Sequence, residues 1–172
     1  QEQLRRMYIN YGNQPSMQTA FIFNYAGTPW LTQYWSRTVV EKVYSDLSPN
    51  LGYSGDEDQG LMGSLAVLMK VGLFSMNGGA TMDPYYEIGS PIFDEIKIHL
   101  DPAYYSGKEL LIKVNDQSPE HYFIQSSTWN GKSMDQCWIF HEDLVKGGEL
   151  ILNMGPQANR EWGVKIPIPN MD

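Results

Sequence analysis

The hydrophobic positions of this chain change their period near residue 80. Before it, apolar side chains recur every three to four residues; after it, they alternate. Leu4, Met7 and Tyr8 read as the end of a helix within 1–11. Gly12-Asn13-Gln14-Pro15 is a turn, with Asn13 placed to cap a helix over 15–26 and Pro15 in its first turn. Gly27 suits the position just past that helix, and Thr28-Pro29 start the next at once. Over 29–45, Trp30, Leu31, Tyr34, Trp35, Thr38, Val39 and Val43 form an amphipathic stripe that leaves Arg37, Glu41 and Lys42 outside it. A polar loop over 46–54 leads into Gly55-Asp56-Glu57-Asp58-Gln59-Gly60. The run from Leu61 to Leu73 predicts a helix over 58–72, apolar on nearly every side and so buried on most of them. Gly60 and Gly63 lower its propensity, which close packing against a neighbour would explain.

Beyond a Gly-rich connection at 76–84, period two takes over. Tyr86 and Ile88, Ile96 to Leu100, Leu110 to Val114, Tyr122 to Ser126, and Leu150 with Leu152 read as strands. Turn residues separate them, and Asn130-Gly131 is a strong hairpin signal. Short strands at this spacing suggest an antiparallel sandwich. Lys165-Ile166-Pro167-Ile168-Pro169 is too proline-rich for a central strand and reads as an extended tail. Helices first and strands after give an α+β fold: a helical segment over 1–80 and an antiparallel β-rich segment over 81–172.

The 172 residues suit one domain or parts of two. A net charge of −8 argues against nucleic acid and against an anionic membrane surface, and no apolar run is long enough to span a bilayer. The lone Cys137 allows no internal disulfide and has no evident partner base. The chain opens at Gln1 in a segment that reads as the middle of something longer. His99, His121 and His141 are too far apart to suggest a metal cluster, and Gly78-Gly79 lacks the Lys-Ser/Thr of a phosphate loop. Trp30 and Trp35 read as core, with sugar stacking the alternative; Glu142 and Asp143 read as a turn.

The acidic turn is where chemistry concentrates. Asp56 or Asp58 can sit at the N-cap of the helix that follows, where the helix dipole favours the ionised carboxylate. An ionised carboxylate suits a general base; the alternative is a plain acidic cap. Two carboxylates two residues apart in a turn can share a cleft, whereas a helix separates them by about 200°.

A family resemblance follows from the motifs. Gly12-Asn13-Gln14-Pro15-Ser16-Met17-Gln18-Thr19 resembles the Gly-Asn-Glu-Pro-Ser-Met-Gln-Thr run of glycoside hydrolase family 92. Phe23-Asn24-Tyr25-Ala26-Gly27-Thr28-Pro29-Trp30 with Thr32-Gln33, and the turn from Gly55 to Met62, are similar to that family too. So are Ile88-Gly89-Ser90-Pro91-Ile92-Phe93-Asp94, His141-Glu142-Asp143 and Met154-Gly155-Pro156.

The resemblance implies an exo-acting, inverting, calcium-dependent α-mannosidase, of α-1,2 type, acting on mannose-containing glycans. It implies that this stretch is the C-terminal portion, the last helices of an (α/α)₆ barrel followed by strands. The rest of the parent chain, including a Glu acting as general acid, would then lie upstream. A non-catalytic carbohydrate-binding or structural module derived from such an enzyme is the alternative. In this reading Asp58 is the base, assisted by Asp56. Asn13, Gln14 and Glu57 lie on the substrate side, and Gln14 and Asn13 offer oxygens to Ca²⁺. Gln14 replaces the family's Glu, Leu61 replaces its Gln, and Asp56 stands where many members carry Asn. The resemblance also implies a periplasmic, secreted or cell-surface parent. An incompletely covered helical half predicts self-association through that half.

Overall fold

The computed structural model describes residues 9–48 and 59–169. Its elements follow the sequence order of helices then strands, an α+β arrangement. A 3₁₀ turn, Gln14–Ser16, is followed by α1 (Ile22–Tyr25), α2 (Pro29–Lys42) and α3 (Leu61–Val71). The strands are β1 (Leu73–Phe74), β2 (Tyr85–Ile88), β3 (Glu95–His99), β4 (Glu109–Asn115), β5 (Phe123–Trp129), β6 (Lys132–Ser133), β7 (Trp138–Phe140) and β8 (Gly148–Gly155). A short helix α4 (His141–Leu144) sits between the last two.

The expected helix over 15–26 is not continuous. Only its two ends are helical, and turns fill the middle. Asn13 makes no capping hydrogen bond through its side chain; Asn10 instead accepts from Gly12 N–H at 2.9 Å. Thr28 does not cap α2 either, since its hydroxyl donates backward to Phe23 O. The N-cap of α3 is Gly60, not Asp56 or Asp58. Gly60 has φ +82° with open space where a Cβ would stand, so its left-handed backbone accounts for it rather than close packing. Nor is α3 buried on most sides: Met62, Leu65 and Met69 form one buried stripe, while Val67 is 59% exposed.

Helix α2 keeps part of its expected stripe, with Val39 and Val43 buried, but its aromatic part is exposed and Arg37 is buried instead. Its buried face is Pro29, Thr32, Gln33, Ser36, Arg37, Val39 and Val40. Tyr34 and Trp35 are exposed, so Trp35 is not core; it packs edge-on against Tyr34 at 5.1 Å. The physical reason lies in what α2 packs against. Gln33 Oε1 accepts from Ile124 N–H at 2.9 Å, and Arg37 donates to the carbonyls of Pro91 and Ser118 and to Gln117 Oε1. Those groups belong to loops and to a bulged strand, where no ladder satisfies them. Polar side chains were therefore drawn inward and the aromatics left outside.

Two sheets make up the second half. One runs β1-β2-β7, antiparallel throughout. The other runs β3-β4-β8-β5-β6. It is not wholly antiparallel, because β4 and β8 pair in parallel from Leu110↔Gly148 to Asn115↔Asn153. Between them the chain forms the β5–β6 hairpin, visits the other sheet as β7 and returns, a crossover long enough for parallel pairing. Asn130 and Gly131 close the hairpin with φ of +50° and +76°, as a type I′ turn requires. In β5 the register shifts between Ile124 and Ser126. That bulge turns Ser127 inward in place of Ser126, and Ser127 Oγ then donates to Met134 O at 2.6 Å. Residues of both sheets share one apolar cluster, including Tyr85, Ile88, Ile112, Leu150 and Ile139. A second cluster joins the helices around Phe21, Val39, Leu65 and Met69, with Phe74 stacked on Phe21 at 4.5 Å.

Candidate functional site

Asp56, Glu57 and Asp58 lie outside the described residues; the elements that flank them are described. Tyr44 ties those elements together. Its hydroxyl donates to Tyr11 O at 2.6 Å and reaches Met62 Sδ at 3.8 Å. Tyr11 opens the Gly12–Thr19 motif, and Met62 closes the acidic-turn motif. The two stretches that carry the sequence-predicted site residues thus meet at one buried phenol. Asn13 is exposed in extended backbone at the head of the 3₁₀ turn, and Gln14, half-buried, is its first residue. Gln59 has φ +56°, so the chain leaves the acidic stretch through two left-handed residues, Gln59 and Gly60. A non-glycine residue in that region is uncommon and often marks a functional turn.

Amide oxygens of Asn13 and Gln14 are donors that suit a hard cation such as Ca²⁺. No group of three or more His, Cys, Asp or Glu able to hold a metal exists among the described residues.

The other sequence candidates stand apart. His99 faces Glu109 at the surface, His121 meets Asp116 O, and His141 lies between the rings of Tyr86 and Tyr105. Glu142 and Asp143 sit in α4 and pair with Lys146. Trp30 is half-buried, with the Arg160 guanidinium 5.7 Å above its ring. Burial pushes the Cys137 thiol up to about 12, so it is not nucleophilic near neutral pH.

A buried acid went unseen in the sequence. Glu87, on β2, is fully buried. It accepts from Tyr25 OH at 2.7 Å and from Met76 N–H at 3.1 Å, and Tyr25 OH also meets Tyr85 OH at 2.9 Å. Its only sequence signal was an acidic residue flanked by apolar strand positions. Burial raises the Glu87 carboxyl above its ordinary value, and the hydrogen bonds from Tyr25 and Met76 pull part of the way back. A raised folded value means the native state holds the proton more tightly. The stability from this group is then full below the ordinary value of 4.5 and falls as pH rises through the folded value. Glu87→Gln should flatten that fall. Urea unfolding from pH 4.5 to neutral measures it; an unchanged slope would show that another group sets it.

Comparison with known proteins bears directly on these motifs. Residues 1–156 match the Glycosyl hydrolase family 92 catalytic domain. An uncharacterized secreted glycosidase of Arthroderma benhamiae is 35% identical over 159 residues, covering 91% of this chain and 19% of its own length. A family GH92 α-mannosidase of Bacteroides thetaiotaomicron superposes with a TM-score of 0.80 at 26% identity, over 90% of this chain and 20% of that one; it has also been solved with mannoimidazole. A family GH92 inverting mannosidase of Bacteroides thetaiotaomicron VPI-5482 gives a TM-score of 0.78 at 33% identity, again over 90% of this chain and 20% of its own. The chain spans about a fifth of the length of these relatives. With its motifs in order, its fold shared and its first 156 residues matched, this chain belongs to glycosyl hydrolase family 92.

Proposed function

We propose that this chain forms the C-terminal part of the catalytic domain of an exo-acting, inverting α-mannosidase that removes α-1,2-linked mannose from glycans. The match of residues 1–156 to the family's catalytic domain carries the reading. Neighbours named as mannosidases, one of them holding mannoimidazole, support the sugar. We place the parent in the periplasm, outside the cell or at its surface; the secreted relative supports secretion, and no described helix is long and apolar enough to cross a membrane.

In this reading residues 1–80 supply the last helices of an (α/α)₆ barrel and residues 81–172 the β-rich segment packed on them. Asp58 takes the proton from the attacking water, and Asp56 orients that water. Inversion needs a second carboxyl group roughly 6.5–9.5 Å away, which a longer polypeptide would supply. Asn13 and Gln14 border the sugar and offer amide oxygens to Ca²⁺; Glu57 lies on the same turn with a smaller role. When bound, the cation would hold and polarise sugar hydroxyls. Gln14 brings no charge to that place, which lowers the demand for a compensating cation and favours a second reading as a binding module without turnover.

The test is hydrolysis of α-1,2-, α-1,3- and α-1,6-mannobiose by the enzyme-length protein, with and without chelator, reading the first-formed anomer by NMR. Release of β-mannose from the α-1,2 substrate, lost on chelation, is expected. Binding without release would leave the module reading.

We also propose that the helical half self-associates. Ile22, Trp35 and Val67 stand exposed on it. A mass that rises with concentration in light scattering is expected, reversed by Trp35→Glu with Val67→Glu. A strictly monomeric protein at high concentration would overturn it.

A further inference from the structure

An unbroken line of oxygens runs from Glu87 to the proline-rich tail. Glu87 Oε1 accepts from Tyr25 OH at 2.7 Å, and its Oε2 accepts from Met76 N–H at 3.1 Å. The hydroxyls of Tyr25 and Tyr85 meet at 2.9 Å. Tyr85 OH then reaches Pro169 O at 3.4 Å. The tail before Pro169 is held separately: Lys165 pairs with Asp135 at 2.8 Å, and Trp138 Nε1 donates to Pro167 O at 3.0 Å. Each phenol owns one hydrogen, and an N–H can only donate. With Glu87 ionised, Tyr25 spends its hydrogen on Glu87, and Tyr85 spends its own on Tyr25. None is left for Pro169. With Glu87 neutral, the acid proton cannot lie between Oε2 and the Met76 N–H. It sits on Oε1 and donates to Tyr25. Tyr25 then donates to Tyr85, and Tyr85 to Pro169 O. Asn77, beside Tyr85, turns its amide oxygen to Ser75 and to Gly79 N–H, so it does not compete for the hydrogen. The link to Pro169 is longer than the roughly 3.0 Å of a good O–H···O bond, as the ionised arrangement requires.

We propose that this line is a proton-operated clasp: a neutral Glu87 fastens the end of the tail at Pro169, and an ionised Glu87 releases it. Tyr25 of α1, Tyr85 of its own strand and Cys137 of β7 are the titratable groups around Glu87, and burial raises all three above their ordinary values. None of them loses its proton near neutral pH, and no lysine or arginine pairs with Glu87 among the described residues. Glu87 is therefore the group that sets the direction of the line. Its carboxyl lies above its ordinary value of 4.5 because it is buried. The clasp is then closed in acid and opens as pH rises through that higher value. It needs neither sugar nor metal, and so stands apart from the mannosidase reading.

Carbon-13 NMR of the labelled 172-residue protein over an acid-to-neutral series tests it. The Glu87 Cδ and Pro169 carbonyl signals are expected to move together, with one midpoint above 4.5. Tyr85→Phe should leave the Glu87 titration in place and silence Pro169. Tyr25→Phe breaks the same line at its middle and gives the same readout if Tyr85→Phe fails to fold. In Glu87→Gln the amide oxygen must face Met76 N–H and the amide nitrogen Tyr25, which freezes the acid arrangement. Pro169 should then keep its acid-side shift at every pH. A Pro169 signal that stays still while Glu87 titrates overturns the clasp. So does a Pro169 response that survives loss of either phenol hydroxyl, or a Glu87 that does not titrate across the series.

Discussion

Asp58→Asn in the enzyme-length protein is expected to lower kcat by two or more orders of magnitude while leaving KM nearly unchanged. The substitution keeps the shape of the side chain and removes the basic oxygen. Its loss should therefore fall on the proton-transfer step rather than on ground-state binding. The competing view of the turn was that its carboxylates only cap the following helix. Gly60 holds that cap position, two residues beyond Asp58, and makes no side-chain bond there. In the base reading Asp58, assisted by Asp56, holds the attacking water instead of serving as a cap. Glu57→Gln should change kcat far less, which controls for the loss of one negative charge from the turn. Steady-state kinetics of both variants on an aryl α-mannoside, with calcium saturating, measures the difference. Near wild-type kcat for Asp58→Asn would end the base assignment.

The sequence was most legible where local chemistry decides the backbone. Asn130-Gly131 could form little but a tight hairpin turn, and it does. The alternation of Leu110, Ile112 and Val114, and of Leu150 and Leu152, marked inward faces correctly because a strand allows only two. Reading failed where a side chain's destination depends on distant backbone. Nothing near Gln33 or Arg37 in the chain says that Ile124, Pro91 and Ser118 lie opposite. The aromatic residues of α2 therefore looked like part of its core face, although Thr32, Gln33, Ser36 and Arg37 share that face with Val39 and Val40 instead. The inward turn of Ser127 followed from a bulge, which inserts one residue and reverses the phase of everything after it. Parallel pairing of β4 with β8 was likewise invisible, since alternation reports which face is buried and not which way a neighbour runs. Of the site, the motif stretches were legible, and their meeting at Tyr44 was not, because one hydroxyl 33 residues from Tyr11 carries it.

Arg37→Met is expected to destabilise the fold by about 3–5 kcal/mol, the largest stability loss among single changes at the junction of helices and sheets. The Arg37 side chain is only 5% exposed, yet it is bonded at every nitrogen. Nη1 donates to Pro91 O, Nη2 to Gln117 Oε1 at 2.6 Å and to Ser118 O at 2.9 Å, and Nε to Glu41 Oε1 at 3.2 Å. Methionine fills similar space and leaves Pro91 O and Gln117 Oε1 without their donor, while Ser118 O keeps the bond from His121 N–H. Each such buried acceptor costs about 1–3 kcal/mol. Glu41 contributes little to this sum, because its carboxylate is 47% exposed and solvent screens the pair. Glu41→Gln should accordingly cost less than about 1 kcal/mol. Arg37→Lys should recover only part of the loss, since one ammonium cannot reach three acceptors spread across two loops. Urea unfolding of the three variants gives the ranking. A loss below 1 kcal/mol for Arg37→Met would mean that water satisfies these acceptors and that the guanidinium does not hold the two halves together.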